Sequence, residues 1–306
     1  MEIDWLRDFL EVVECGSFSR AAEARNITQP ALSRRIRFLE GWIGSQLFFR
    51  TTHKVTLSPA GESFRLTAEE VIRRLETGRK EAREQGNAVI EELHFASTNA
   101  LALTFFPEWL RKIETSLPFV ANIQLVANHW QSCERMMMQG RVQFLLGHHH
   151  PLAETSLAPG QFMSCAVGTD VLIPVVAPHP EGEQAGQPLL TLPGSEQSPI
   201  PYLSYRTESG MGRIVSAVRQ TSPNKAWLKP TFNSHLAKLL VTMALDGRGM
   251  AWLPKSLIGE YLAAGQLVRA GDERWDIPIE IHLFRSRARL PATAEQFWST
   301  VEKSAK

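Results

Sequence analysis

The sequence predicts an α/β protein that carries a helix-rich domain at its N-terminal end. Three changes of pattern along the chain support this division. Residues 1–58 contain short amphipathic helices with many arginines, and residues 59–89 form one long polar helix. Residues 90–306 alternate short β-branched runs with helical stretches, which is the pattern of an α/β domain.

The composition is that of an ordinary folded protein. Hydrophobic residues make up 43% of the 306 residues, charged residues make up 21%, and the formal net charge is +1. A nucleic-acid-binding function would therefore need its positive charge concentrated in one segment. We expect a cytoplasmic protein, because the sequence lacks a signal-peptide pattern, an apolar run of membrane-spanning length and a disulfide-type spacing of its three cysteines.

The first 45 residues predict three helices joined by tight connections. The first helix ends near Gly16, and a short helix rich in alanine follows it. Thr28 is a good N-cap for the third helix, which extends to about Glu40, and Pro30 lies in the first turn, where its missing N–H costs nothing. The apolar side of this third helix consists of Ala31, Leu32, Ile36 and Leu39.

The polar side of the third helix is the candidate DNA-reading surface. The pattern is typical of a helix-turn-helix: two short helices are joined by a tight turn, and the second helix has polar residues at its N-terminal end. This second helix enters the major groove. Gln29 can read adenine, Arg34 can read guanine, and Ser33 suits base edges or phosphate. The predicted DNA contacts are Gln29, Pro30, Ser33, Arg34, Arg37, Arg50 and Lys54.

Residues 47–57 read as a two-stranded wing beside these helices. The segment from Arg34 to Lys54 holds five basic side chains against the single acid Glu40, so the positive charge is local. Basic residues of the wing are expected to sit on phosphate or in the minor groove, where they supply affinity without sequence information.

The long helix of residues 59–89 has a narrow apolar stripe. Ser58 is a suitable N-cap and Pro59 fits the first helical position. A narrow stripe on a polar helix favours a dimer seam, although packing against the helix's own chain is the alternative. The stripe consists of Phe64, Ala68, Val71, Leu75, Gly78 and Ala82, and we expect the helix to end at Gly86–Asn87.

Residues 16–61 closely resemble the DNA-binding domain of LysR-type regulators. The resemblance rests on Gly16–Ala22, Asn26–Ile36, Leu39–Glu40, Leu47–Phe48 and Leu57–Gly61 at the expected spacing. It implies a winged helix-turn-helix followed by a dimerising linker helix, and therefore a homo-oligomer (a dimer, which assembles into a tetramer) on double-stranded DNA. The dimer symmetry implies an imperfectly palindromic operator.

The same resemblance implies a C-terminal effector domain similar to periplasmic binding proteins. Its first subdomain is expected at residues 90–165 and 267–306 and its second at residues 166–266, with a ligand cleft between them. Ligands of open α/β sheets bind beyond the carboxyl ends of the strands. This rule predicts that the effector is contacted by Ser97, Thr98, Asn99, Asn128, His129, His148, Ser204, Tyr205, Arg206, Met211 and Asn233.

The effector half is similar to the hypochlorite-responsive branch of the family, on residues 202–214 and 239–254. This similarity implies that an oxidant, rather than a small-molecule ligand, could be the signal. Met211 lies between two glycines in the predicted cleft and is the candidate for oxidation to the sulfoxide.

Several other features are not expected to carry function. His148, His149 and His150 are consecutive, and neighbours in an extended strand point to opposite sides, so no metal site is predicted. Cys133 and Cys165 lack a sensor pattern, Ser209 is not in a nucleophile elbow, and no cofactor motif is present. A solute-binding protein or an enzyme on the same bilobal fold are the rival interpretations.

Overall fold

A computed structural model describes residues 2–50, 55–84, 92–117, 122–180 and 185–304. The chain divides into two compact units. The first contains residues 1–89 together with 138–141, and the second contains residues 90–137 and 142–306. The main division falls between residues 89 and 90, where the sequence pattern changes.

The N-terminal unit is a three-helix domain with a two-stranded hairpin and a long helix. Its elements are α1 (Ile3–Cys15), α2 (Phe18–Ala24), α3 (Gln29–Ile43), β1 (Phe48–Arg50), β2 (Val55–Leu57) and α4 (Pro59–Glu84). The helices form because apolar residues recur at helical spacing and bury one common core, which includes Phe9, Leu32, Ile36 and Leu39. Gly61 lies at the start of α4 where a Cβ would collide with the backbone of Leu47, so only glycine allows this approach.

A buried carboxylate fixes the first three helices relative to one another. Asp8 of α1 is fully buried. Its Oδ1 accepts a hydrogen bond of 2.8 Å from Nε of Arg25, and its Oδ2 accepts one of 3.1 Å from Nη1 of Arg35. The two arginines come from the residue after α2 and from α3, so one carboxylate holds the turn of the helix-turn-helix in place.

The C-terminal unit begins with a lobe built on parallel strands. The first-lobe elements are β3 (Glu92–Thr98), α5 (Asn99–Thr104), α6 (Phe106–Glu114), β4 (Asn122–Asn128), α7 (Trp130–Met138) and β5 (Phe144–His149). Strand β3 lies between β4 and β5 and is parallel to both. Phe105 separates α5 from α6.

The second lobe follows along the chain. Its elements are β6 (Phe162–Val176), β7 (Ile200–Tyr205), α8 (Gly210–Thr221), β8 (Leu228–Ser234), α9 (Ala237–Leu245), β9 (Ala251–Pro254), α10 (Lys255–Ala263) and β10 (Val268–Arg269). Strand β6 pairs with β9 and β10, and β7 pairs with β8. Strand β11 (Ile277–Ser286) and helix α11 (Ala292–Ser304) then return to the first lobe.

The two lobes share the long antiparallel ladder of β6 and β11. The ladder extends from the Ile277–Leu172 pair in the second lobe to the Ser286–Phe162 pair in the first. The expected return to the first lobe at residue 267 is too early, because Leu267 and Trp275 are buried in the core of the second lobe. The crossing occurs within β11, whose Ile281 and Leu283 belong to the core of the first lobe.

Among the described residues, none of the helices combines the length and the hydropathy that a membrane crossing requires. The longest of them, α4, has 26 residues and is rich in charge.

We predict that the Asp8→Ala substitution will destabilise the N-terminal unit by about 3 kcal/mol, because it removes two charge-assisted hydrogen bonds from a buried network. Urea unfolding followed by circular dichroism measures the change. The control is Glu108→Ala, which removes an exposed ion pair to Lys112 and should cost little. Equal stability of the two variants would contradict the structural role of Asp8.

Candidate functional sites

The outer face of α3 presents most of the predicted DNA-reading residues. Gln29, Pro30, Arg34 and Arg37 are exposed, and the Oγ1 of Thr28 caps the helix by accepting from the N–H of Ala31 at 3.4 Å. The helix presents this face because its opposite side is buried in the core of the N-terminal unit.

Ser33 does not belong to that face. Only 7% of the residue is exposed, so the expected contact of its hydroxyl with base edges is wrong for this fold. The reason is helical geometry: residues three positions apart lie on the same side of a helix, so Ser33 shares the buried side of α3 with Ile36. Arg35 likewise turns to Asp8 and is engaged in the core ion network.

The predicted wing is formed by β1 and β2, which pair in antiparallel register from Phe48–Leu57 to Arg50–Val55. Arg50 is the last residue of β1. Lys54 lies outside the described residues, so its predicted phosphate contact stays a prediction.

The apolar stripe of α4 divides into two parts. Phe64 and Ala68 pack into the core of their own unit, as does Ile72, which is not part of the predicted stripe. Val71 and Leu75, one helical turn apart, are each 39% exposed. Packing on the helix's own chain therefore accounts for the first part of the predicted stripe, whereas the second part is an open apolar strip.

The C-terminal unit contains a small cleft, with a cavity of about 30 Å³, between its two lobes. Strand ends of the first lobe meet the start of α8 of the second lobe there. The predicted effector contacts that line the cleft are Thr98, Asn99, Asn128, His129, His148, Tyr205 and Met211. The rule that places ligands at the carboxyl ends of strands therefore brings most of the predicted residues together.

Four predicted effector contacts lie elsewhere. Ser97 is fully buried and its hydroxyl donates to the backbone carbonyl of Thr98. The hydroxyl of Ser204 donates to the carbonyl of Phe232, because alternate strand residues face opposite sides of the sheet. Arg206 is exposed and pairs with Glu208, and Asn233 is exposed on β8. None of these four is among the residues that line the described cleft.

The cleft has further lining residues besides these seven. These are Ala100, Trp130, Ser209, Gly210, His235 and Ala237. Trp130 opens α7, and a Cβ at Gly147 would collide with its ring, so Gly147 is what lets the indole lie against β5. The His129 and His235 rings meet across the cleft at 5.7 Å between centroids. Gly147, a single glycine within a strand, is the sequence signal that indicates the close approach of Trp130.

Four buried polar atoms that make no hydrogen bond among the described residues belong to side chains that line the cleft. They are Thr98 Oγ1, Trp130 Nε1, His148 Nε2 and Tyr205 OH. Leaving a buried polar group unpaired costs about 1–3 kcal/mol, so a native structure rarely concentrates several at one place unless water or a ligand completes them. Thr98 precedes α5 but its hydroxyl makes no capping bond, so helix capping does not account for it.

Burial sets the protonation state of His148. The residue is nearly inaccessible, and burial lowers its pKa to about 4, although the nearby Asp170 acts in the opposite direction. The imidazole is therefore neutral at physiological pH and can give or accept one hydrogen bond at its free nitrogen. At His148 the cleft therefore presents a hydrogen-bonding group to a ligand, and not a formal charge.

An ion pair between α7 and α8 joins the two lobes. The carboxylate of Glu134 on α7 accepts hydrogen bonds from Thr155 Oγ1 at 2.7 Å and from the N–H of Ser156 at 2.9 Å. Nη1 of Arg213 on α8 lies 3.6 Å from the same carboxylate, and its guanidinium stacks 5.0 Å from the Trp130 ring centroid. Burial lowers the pKa of Arg213, and Glu134 offsets that effect. A change in lobe closure must therefore alter this contact.

The thiols have the properties of inert cysteines. Burial raises the pKa of Cys133 to about 12 and that of Cys165 to about 11. Since the thiolate is the reactive form, neither side chain is prepared for rapid oxidation at neutral pH.

Two family models match this chain in succession. Residues 3–62 match the bacterial regulatory helix-turn-helix protein of the lysR family, and residues 87–306 match the LysR substrate binding domain. Together they cover both units of the structure.

Individual relatives match along nearly the full length. The transcriptional regulator YjiE of Escherichia coli is 30% identical over 97% of this chain and 93% of its own. Full-length HypT from Salmonella typhimurium, described as a hypochlorite-specific LysR-type regulator, is 29% identical, with a TM-score of 0.57 and coverage of 100% and 99%. DarR of Vibrio fischeri, solved in complex with DNA, is 29% identical with a TM-score of 0.55 and coverage of 99% of each chain.

The names of these relatives describe transcriptional regulators. They give no support to the two rival interpretations, an enzyme and a solute-binding protein. The chain belongs to the LysR family of transcriptional regulators, with a helix-turn-helix DNA-binding domain and an effector-binding bilobal domain.

Proposed function

We propose that this regulator, acting in the cytoplasm as a homo-oligomer, reads its operator through Gln29, Arg34 and Arg37 of α3. The observation that carries this proposal is the placement of these three side chains on one exposed face, while the opposite face of α3 is buried. Gln29 and Arg34 have the hydrogen-bonding geometry for adenine and guanine edges, and Arg37 supplies a phosphate contact. The wing, with Arg50 and Lys54, supplies further contacts to the DNA backbone.

We predict that Arg34→Ala will weaken binding to the preferred operator by about ten-fold or more, because a bidentate arginine–guanine contact contributes about 1–3 kcal/mol of discrimination. The operator is selected from random DNA by the wild-type protein, and affinity is measured by fluorescence anisotropy at fixed salt. Binding to unrelated DNA should fall less.

The matched control is Arg274→Ala, which removes an exposed arginine from the C-terminal unit. It should leave operator affinity unchanged. Unaltered operator affinity in the Arg34 variant would rule out base reading by this side chain.

Self-association is assigned to the open strip of α4. Val71 and Leu75 are exposed apolar residues on a polar helix, and pairing them with the same strip of a second copy would bury both. Two-fold pairing would place two copies of α3 on the DNA and account for recognition of a palindromic site. Further pairing of dimers gives the tetramer expected for this family.

We predict that the double substitution Val71→Glu and Leu75→Glu will dissociate the oligomer, because it places like charges in an apolar seam. Light scattering after size-exclusion chromatography measures the mass. Leu152→Glu, at an exposed leucine of the C-terminal unit, is the control and should keep the wild-type mass. A double variant with unchanged mass would place the interface elsewhere.

The effector is assigned to the cleft between the lobes, where seven predicted contacts and four unpaired polar atoms converge. The similarity to HypT favours hypochlorite as the signal. In this chemistry the thioether sulfur takes the oxygen of hypochlorous acid and becomes a sulfoxide, while chloride and a proton leave. Met211 is the methionine that lines the cleft, and only 5% of it is exposed.

A sulfoxide at Met211 would introduce a strong acceptor among unsatisfied donors. The Nε1–H of Trp130 and the hydroxyl of Tyr205 line the same cleft without a hydrogen-bond partner. Trp130 also contacts Arg213, so oxidation would alter the residues that join the lobes. Cysteine oxidation is the less favoured route, because the pKa values of Cys133 and Cys165 are raised.

We predict that Met211→Leu will abolish the hypochlorite-dependent change in transcription of a reporter, because leucine keeps the volume but cannot form a sulfoxide. Met243→Leu, a partly buried methionine of the second lobe, is the control and should respond like the wild type. Peptide mass spectrometry should find the sulfoxide at Met211. An intact response of the Met211 variant would favour a small-molecule effector, which melting shifts with a ligand library would detect.

A further inference from the structure

A second cluster lies on the sheet of the first lobe, outside the described cleft lining. It consists of His149 on β5 and of Glu280 and His282 on the neighbouring strand β11. Strand pairing places His149 directly opposite Glu280 and Gly147 opposite His282, so the three side chains share one face of the sheet. The expectation that consecutive histidines cannot share an ion concerns His148 to His150, whereas this cluster is assembled across strands.

The distances among the three side chains suit one metal ion. Oε2 of Glu280 lies 2.9 Å from Nε2 of His282 and 3.6 Å from Nδ1 of His149. Ligands about 2.0–2.1 Å from a tetrahedral zinc ion are separated by about 3.3 Å, and the two measured distances lie on either side of that value. All three ligand atoms fall within 4.8 Å of one another, so small side-chain movements would complete the site.

The surroundings also suit a metal ligand set. Nδ1 of His149 is buried and makes no hydrogen bond of ordinary length within the protein. Ser164 Oγ lies 3.0 Å from Nδ1 of His282 and can accept that N–H. Nε2 of the ring, which is hydrogen-bonded to Glu280 Oε2 at 2.9 Å in this structure, would then be the coordinating nitrogen. The two imidazoles stack with their centroids 4.2 Å apart, so one ring has to rotate for both nitrogens to face a single ion.

The site is accessible from solvent. His149 and Glu280 line a wide open depression of the C-terminal unit. The side chain of Glu280 is 51% exposed, whereas that of His282 is 13% exposed. An ion can therefore arrive from solvent at Glu280 and be held by the more enclosed imidazoles, with water in its fourth position.

We propose that His149, Glu280 and His282 bind a divalent transition-metal ion of the zinc type. Two imidazole nitrogens and one carboxylate oxygen are the donors that such ions accept, and they exclude calcium and magnesium, which require oxygen ligands. The ion would tie β5 to β11. This inference is independent of the effector proposal, because the three ligands are not among the residues that line the cleft.

Zinc titration of untagged full-length protein, stripped with a chelator, tests the site by isothermal calorimetry. We expect one ion per chain. The variants Glu280→Gln and His149→Gln should each weaken zinc affinity by more than about a hundred-fold, since they remove a ligand, and Ser164→Ala should weaken it by about ten-fold through the orientation of His282. Glu280→Gln changes an exposed residue and should not prevent folding, which circular dichroism verifies.

The matched control is His94→Gln. His94 Nε2 lies 3.3 Å from Glu92 Oε2, so this is another histidine–glutamate pair on the same sheet, and it is outside the three-residue cluster. Its substitution should leave the zinc affinity unchanged.

Zinc affinity that is unchanged in the Glu280 and His149 variants, or that is lost instead in Cys15→Ser, would overturn the assignment. The absence of zinc binding by the wild type would also overturn it and leave the cluster as a hydrogen-bonded group. Anomalous scattering at the zinc edge should locate the ion between β5 and β11.

Discussion

The pairing of β6 with β11 is the constraint on which the effector-binding domain depends. These strands pass through both lobes, and their register, from Ile277–Leu172 to Ser286–Phe162, sets where each lobe begins. Each lobe adds its own core on its own section of the ladder. The backbone hydrogen bonds of the ladder are shared, so the lobes can change closure only by bending these strands or by rearranging the contacts at the cleft.

The contacts at the cleft are polar and partly unsatisfied, in contrast to the two apolar cores. Glu134 and Arg213 join the lobes by charge, Trp130 lies against the guanidinium, and the N–H of Gln131 donates to the carbonyl of Glu208 at 3.4 Å. Contacts of this kind have alternative partners in water or in a ligand, whereas a close-packed apolar core does not. The cleft is therefore where a bound molecule or an oxidised side chain can shift the balance between closures at little cost.

The sequence predicts the elements with local signals and misses those that depend on distant pairing. Thr28 with Pro30 specifies the start of α3, and alternation around the strand ends locates Thr98, Asn128 and His148 near one another. Ser33 was placed on the wrong face, because helix periodicity leaves the edge of a polar face ambiguous by one residue. The first half of β6 has no strand pattern in the sequence, because its residues are mostly small or polar, and it is stabilised by its pairing with β11. The boundary at residue 267 fails for the same reason.

The consecutive histidines illustrate why residue chemistry needs strand register before it can be interpreted. His148 and His149 are adjacent on β5, and successive strand residues face opposite sides. His148 accordingly lines the cleft between the lobes, whereas His149 faces Glu280 on the other side of the sheet. The partners that give His149 its chemistry are more than 130 positions away along the chain and are supplied by β11, which returns from the second lobe. Strand β5 carries His148 into the cleft, and at the next residue, His149, it pairs with β11, the strand that crosses between the lobes. Any interaction that tightens the β5–β11 pair at His149 acts directly on the backbone that positions His148.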